Sequence, residues 1–212
     1  MYSYNIQMPL PYKGPRNVNG YVSAGKKALK LARKLNRDLR PEMKHATVDT
    51  ITSTVSSTPT VQGNLANIAS GDTGILRDGD QICVKSLYFR YYVTQHVSAT
   101  KSIIRLVLVK DNQQVADSSP AWTDIYESAS ITSHLNNETA GRFTILMDRV
   151  HTLGDRPLVA GSAYKKMNHI VRYNGAAFTD IQKGGLYFFA ISDEPTNVPS
   201  VVWSNRLSFT DM

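Results

Sequence analysis

The sequence predicts an all-β domain carried behind a basic N-terminal arm, and three observations predict it. Charge is segregated: residues 13–44 hold ten basic and two acidic residues, a net of +8, whereas residues 45–212 hold 14 basic and 15 acidic ones, a net of −1. Apolar residues recur at a helical period over residues 24–40. After His45 the chain changes to short runs rich in Thr, Ser, Val and aromatic residues, separated by Gly, Asp, Asn and Pro, which is how strands and their turns read. The expected organisation is an arm over residues 1–44, made of an extended lead-in and one amphipathic α-helix, followed by a β domain over residues 45–212.

The lead-in, residues 1–20, carries Pro9, Pro11, Gly14, Pro15 and Gly20 without apolar periodicity, so it reads as extended or flexible. The helix is expected over residues 24–40. At roughly 100° per residue, Ala24, Ala28, Leu31, Ala32, Leu35 and Leu39 fall within an arc of about 100°, and Lys26, Lys27, Lys30, Arg33, Lys34, Arg37 and Arg40 occupy about 140° on the other side. Ser23 suits the N-cap, where its hydroxyl accepts a free backbone N–H, and Pro41 ends the helix.

Eight strands are expected, at residues 47–56, 61–68, 81–95, 102–110, 142–150, 164–173, 185–192 and 201–210. The last shows the two-residue period best. Val201, Trp203, Leu207 and Phe209 share a face with Asn205, while Val202, Ser204, Arg206 and Ser208 alternate outward. Residues 103–109 and 186–191 are apolar on both faces, apart from Arg105. This predicts central strands covered on one side by a second sheet and on the other by neighbouring subunits. Eight strands with no disulfide to staple them imply a two-sheet sandwich or jelly roll.

Several functional classes drop out. Cys83 is the single cysteine, which excludes an intramolecular disulfide and a multi-cysteine metal site and leaves it as a small core residue. The longest apolar runs fall far short of the ~20 residues of a membrane span. Residues 1–12 lack the basic start and apolar segment of a signal peptide, so a soluble, unexported chain with no membrane partner is expected. His45, His96, His134, His151 and His169 are scattered, and neither a phosphate loop nor a nucleophile elbow is present, so no enzyme is expected.

A pI near 9.5 with only 19% charged residues means that the basic character comes from placement. An ordinary surface helix interleaves both signs, and a membrane-surface helix carries bulky anchors where this one carries Ala and Leu. A nuclear import signal at residues 26–34 can coexist with nucleic-acid binding. The arm therefore reads as a sequence-independent phosphate binder, with Lys13, Arg16, Lys26, Lys27, Lys30, Arg33, Lys34, Arg37, Arg40 and Lys44 as its nucleic-acid-binding residues.

Two further groups stand out. Tyr88, Phe89, Tyr91 and Tyr92 cluster beside Arg90; in a strand alternate members point into the core, so packing is expected of most and base contact of one at most. Asp72, Asp78 and Asp80 sit in a Gly-rich stretch and offer the oxygen ligands that calcium prefers, although Asp and Gly are also the commonest turn residues and no calcium-loop spacing is present.

Five segments in order carry a resemblance. They are residues 77–82 (RDGDQI) leading into 84–93, then 105–113 (RLVLVKDNQ), 142–148 (RFTILMD), 171–175 (VRYNG) and 206–211 (RLSFTD). Over residues 45–211 the chain resembles the single jelly-roll coat proteins of small icosahedral viruses, in particular the satellite tobacco necrosis virus group and the capsids of circular single-stranded DNA viruses that encode a replication initiator. The resemblance implies an eight-stranded viral jelly roll and a T=1 shell of sixty copies, with the arm turned inward onto a single-stranded genome of DNA or RNA. It also implies calcium at subunit contacts and localisation in the virion, with assembly in the host cytoplasm or nucleus. Sixty arms would bring about 480 positive charges inside, enough to balance on the order of 500 phosphates. The competing expectations are a nucleic-acid-binding β domain that never forms a shell, and a jelly-roll carbohydrate-binding protein whose basic tail is incidental.

Overall fold

A computed structural model describes residues 25–34, 41–114, 117–177 and 179–212. The chain divides into two units, Met1–Arg40 and Pro41–Met212. In the first, residues 25–34 form a helix, α1, whose residues are all exposed. The expected cap at Ser23, the apolar positions Ala24, Leu35 and Leu39 and the cations Lys13, Arg16, Arg37 and Arg40 lie outside the described residues.

The second unit is built from strands β1 Lys44–Thr54, β2 Thr60–Asn64, β3 Gln81–Thr94, β4 Ser102–Asp111, β5 Phe143–Leu153, β6 Leu158–Tyr173, β7 Ile181–Lys183, β8 Leu186–Ser192 and β9 Ser200–Asp211, with a four-residue helix, α2, at Trp122–Ile125. Two antiparallel sheets result, ordered β1-β9-β3-β6-β7 and β2-β8-β4-β5. Neighbours in both sheets are mostly far apart in sequence, so the chain crosses repeatedly between the layers, with β4–β5 and β6–β7 as the consecutive pairs that stay in one sheet. Setting aside the short β7, this is the eight-stranded jelly roll that the sequence predicts.

The core face expected in β9 holds, with Val201, Trp203, Asn205, Leu207 and Phe209 buried; of the residues expected outward, Arg206 is exposed, Ser204 and Ser208 are half-buried and Val202 is buried. On the core face Trp203 meets Phe89 of β3 and Phe188 of β8 between the sheets, with ring centroids 4.8 Å apart for Phe89 and Phe188, 5.9 Å for Phe89 and Trp203 and 5.5 Å for Phe188 and Trp203. This aromatic cluster anchors a core that Ile82, Val84 and Leu87 of β3 and Ile104, Leu106 and Leu108 of β4 extend.

The outer face of the four-stranded sheet departs from expectation. Val107 and Val109 of β4 and Tyr187, Phe189 and Ile191 of β8 are buried by Trp122, Ile125 and Tyr126, which belong to the chain's own β4-to-β5 connection rather than to a neighbouring subunit. The connection is closed at its base by a forked pair, Arg142 Nε to Asp111 Oδ1 at 3.0 Å and Arg142 Nη2 to Asp111 Oδ2 at 2.7 Å. Its far end is held by Arg105, which donates to Asp148 Oδ1 at 2.9 Å and Oδ2 at 2.6 Å, and to the carbonyls of Ile131 and Ser133 at 2.7 and 2.8 Å. The Tyr126 hydroxyl donates to Asp148 Oδ2 at 3.0 Å, and the Arg105 guanidinium lies 4.3 Å from the Tyr126 ring centroid. A buried cation in an otherwise apolar strand is thereby paired in forked, charge-assisted geometry.

Three other differences have local causes. β2 stops at Asn64, four residues before the expected end, because the Asn64 side-chain oxygen accepts the Ala66 N–H at 3.1 Å and turns the chain. β6 begins at Leu158 rather than at residue 164 because its first half, with Ala160, Gly161, Ser162 and Ala163, is too small to display an apolar period. Gly161 is needed there: a Cβ would stand 2.6 Å from Tyr91 Cζ. β7, three residues long, falls below what periodicity can register.

Two outcomes follow. Gly63 sits at a register shift in the β2–β8 pairing, where a Cβ would stand 2.5 Å from the Trp203 ring, so Gly63→Ala is expected to destabilise the β domain by about 1–3 kcal/mol in urea unfolding. Burial works to raise the Asp148 pKa, but the hydrogen bonds and charge of Arg105 outweigh it and hold the carboxyl below its ordinary 3.8. A depressed carboxylate contributes stability above pH 3.8 that is lost as pH falls through the folded value. Asp148→Asn is expected to lower the urea midpoint at pH 7 and to flatten the decline below pH 3.8.

Candidate nucleic-acid interface

The cations expected to meet phosphate fall into two groups. Lys26, Lys27, Lys30, Arg33 and Lys34 lie on α1, exposed, with no carboxylate in ion-pair range among the described residues. Lys44 does not belong with them. It is the first residue of β1, 5% exposed, and its Nζ stands 2.8 Å from Asp78 Oδ1 and 2.9 Å from Asp211 Oδ2 while donating to the Leu76 carbonyl at 3.1 Å. The hydrogen bond to Asp78, opposed by burial and helped by Asp211, raises its pKa above the ordinary 10.5. Its charge is neutralised inside the β domain, so the basic stretch read from the sequence ends before Lys44.

The acidic loop has a structural role in place of the expected cation site. Arg77 is fully buried and donates to the carbonyls of Ile68 at 3.0 Å, Gly79 at 2.6 Å and Gly175, with its guanidinium 4.0 Å from the Tyr173 ring centroid. That pins residues 66–80 against the 173–175 turn. Asp78 is committed to Lys44, Asp80 lies 3.5 Å from Arg77 Nη1 and points to solvent, and Asp72 is exposed. Among the described residues of one chain, no three His, Cys, Asp or Glu side chains converge as a metal site would require, so Asp72, Asp78 and Asp80 do not fit calcium as a set.

The aromatic cluster divides by strand parity. Phe89 and Tyr91 are buried between the sheets, whereas Tyr88, Arg90 and Tyr92 stand on the outer face of the five-stranded sheet. Arg90 Nε donates to the Tyr88 hydroxyl at 2.8 Å and its guanidinium sits 4.8 Å from that ring's centroid. Tyr164, opposite Tyr88 on β6, meets it edge-on with centroids 6.4 Å apart.

With this geometry in hand, the comparisons with known proteins are decisive. The family model described as satellite tobacco necrosis virus coat protein matches residues 23–212. The chain belongs to that coat protein family. A coat protein of satellite tobacco necrosis virus 2 is 33% identical over 148 residues, 68% of this chain and 73% of that one. A coat protein of maize white line mosaic satellite virus is 27% identical over 168 residues, covering 72% and 77%. A solved structure of desmodium yellow mottle tymovirus overlaps 98% of this chain and 95% of its own at 11% identity, but its TM-score of 0.33 carries no argument.

Membership makes this coat protein a structural component of a virion, where it assembles with copies of itself into a shell. It sets aside both the solitary nucleic-acid-binding domain and the carbohydrate-binding jelly roll. What sequence reading missed is Lys44, whose partners Asp78 and Asp211 lie far along the chain and carry no periodic signal. Lys44→Gln is expected to lower the thermal midpoint of the coat protein and to leave its nucleic-acid content unchanged. The difference from wild type should shrink above pH 10.5, because a raised lysine stabilises fully below its unfolded pKa and loses that contribution as pH rises through the folded one.

Proposed function

We propose that this coat protein closes into a T=1 shell of sixty copies and packages a single-stranded viral genome through the cations Lys13, Arg16, Lys26, Lys27, Lys30, Arg33, Lys34, Arg37 and Arg40. The observation that carries this reading is the partition of charge. The β domain satisfies its buried and half-buried cations internally, with Arg77 on carbonyls and Lys44, Arg105 and Arg142 on carboxylates. The cations of α1 have no such partners among the described residues.

The physical logic is a division of labour. Shell contacts between identical subunits bring like charges together and are best served by a nearly neutral body. Genome capture needs the opposite, a dense cationic segment whose neutralisation by phosphate releases counterions without reading bases. With Lys44 withdrawn, sixty arms supply on the order of 400 positive charges to the interior. Localisation follows: the coat protein is part of the virion, and its nucleic-acid partner is the enclosed genome.

Expression of the full chain is expected to give uniform closed particles by electron microscopy, with a mass corresponding to sixty subunits. Replacing Lys26, Lys30, Lys34 and Arg37 together with Gln should leave the unfolding transition of the β domain in place and lower the nucleic acid recovered per particle several-fold at matched salt. Undiminished nucleic acid in that variant would remove the arm from the packaging role.

A further inference from the structure

The outer face of the five-stranded sheet carries a second feature that the arm does not explain. Cross-strand register lays it out in rows. Arg206, Tyr88 and Tyr164 lie side by side on β9, β3 and β6; the next row is Ser204, Arg90 and Ser162; the next is Val202, Tyr92 and Ala160. A ridge of Tyr88, Arg90 and Tyr92 therefore runs along β3, and small side chains flank its last two members on both sides. The result is an open depression of about 550 Å³ floored by Ala160, Gly161, Ser162 and Val202. A smaller hollow of about 230 Å³ continues it toward β1 past Tyr88, Arg90 and Arg206.

The chemistry of this face is aromatic and cationic. Tyr92 is 42% exposed and Tyr164 63% exposed, so their rings are left in water on a sheet that buries Phe89, Tyr91, Trp203 and Phe209. Arg90, Lys166 and Arg206 are exposed on the same face, and none has a carboxylate in ion-pair range among the described residues. Asp49 is the one acidic residue lining the hollows. On the four-stranded sheet the central strands β4 and β8 present no such open face among the described residues, because the chain's own connection covers them.

We propose that this face is a stacking platform for single-stranded nucleic acid. Bases stack on Tyr92 and Tyr164 while Arg90, Arg206 and Lys166 meet phosphates, the combination by which sheet surfaces bind single strands without reading sequence. Charge complementarity selects a polyanion over a second copy of the chain, since another copy would bring the same cations or a body with little net charge. The proposal rests on the genome-packaging reading for its ligand, but it assigns contacts to bases as well as to phosphates, which the arm alone does not need.

The test uses the full chain and two probes, a uridine-rich single-stranded RNA of twelve nucleotides and inorganic polyphosphate, which has the charge and no bases. The double variant Tyr92→Thr, Tyr164→Thr keeps residues of high strand propensity on both strands. It is expected to lose about tenfold in affinity for the RNA and none for polyphosphate. Ultraviolet cross-linking of RNA to the unaltered protein should mark residues 86–94 and 160–166 in addition to the arm. Equal losses for both probes, no loss for RNA, or cross-links confined to the arm would overturn the proposal. So would a variant that binds RNA as wild type does but no longer forms particles, which would make the face a contact between copies. The arm variant, Lys26, Lys30, Lys34 and Arg37 to Gln, separates the two readings: it should weaken both probes, and its failure to do so would count against packaging by the arm while leaving the tyrosine result to stand on its own.

Discussion

The structure depends on how one strand carries a charge through an apolar layer. β4 and β8 are buried on both faces, and the second face is sealed by the connection that brings Trp122, Ile125 and Tyr126 back over it. The seal holds because Arg105 reaches Asp148 in a fork and two backbone carbonyls of the covering segment at once, so a single guanidinium ties strand β4, strand β5 and the connection together. Removing one partner of such a pair leaves an uncompensated charge in a low-dielectric site, which costs more than the pair contributes when intact. An apolar sheet face of this extent would otherwise be an exposed patch prone to unspecific association.

Sealing one sheet determines what the other presents. The five-stranded sheet keeps its outer face open, with polar, small and aromatic side chains in cross-strand rows and cations that no carboxylate of the described residues neutralises. The same rule separates two groups of cations among the described residues. Those inside the β domain, Arg77, Lys44, Arg105 and Arg142, are held by carbonyls, carboxylates and aromatic rings and work as ties. Those on α1 and on the open face have no carboxylate in ion-pair range among the described residues, which is the condition for exchanging small counterions for a polymer of phosphates.

Much of this was legible in the sequence where side chains report their surroundings. β3 begins at Gln81 and ends at Thr94, within one residue of expectation, because large apolar residues alternate along it; β8 and β9 are equally plain. Legibility failed where the determinant was remote or small. The run Ala160 to Ala163 is silent because its partner Tyr91 supplies the bulk. Lys44 looks like one more cation of a basic stretch until Asp78 and Asp211 are folded beside it. Two-sided burial of β4 and β8 was correctly expected, but pattern alone does not distinguish cover by another molecule from cover by the chain's own connection. The aromatic cluster was half legible: strand parity put alternate members in the core, while the structure showed that these are Phe89 and Tyr91 and the cross-strand register showed what surrounds Tyr88, Arg90 and Tyr92.

The claim underneath the account is that the cations of the arm and of the open face engage phosphates of a polymer, while the cations buried in the β domain are neutralised within it. The most direct measurement is the salt dependence of affinity for single-stranded nucleic acid. Nine arm cations engaged together predict that log K falls against log salt with a slope of about −6. Affinity that is indifferent to salt across the range from about 50 to 200 mM would contradict the account at its base.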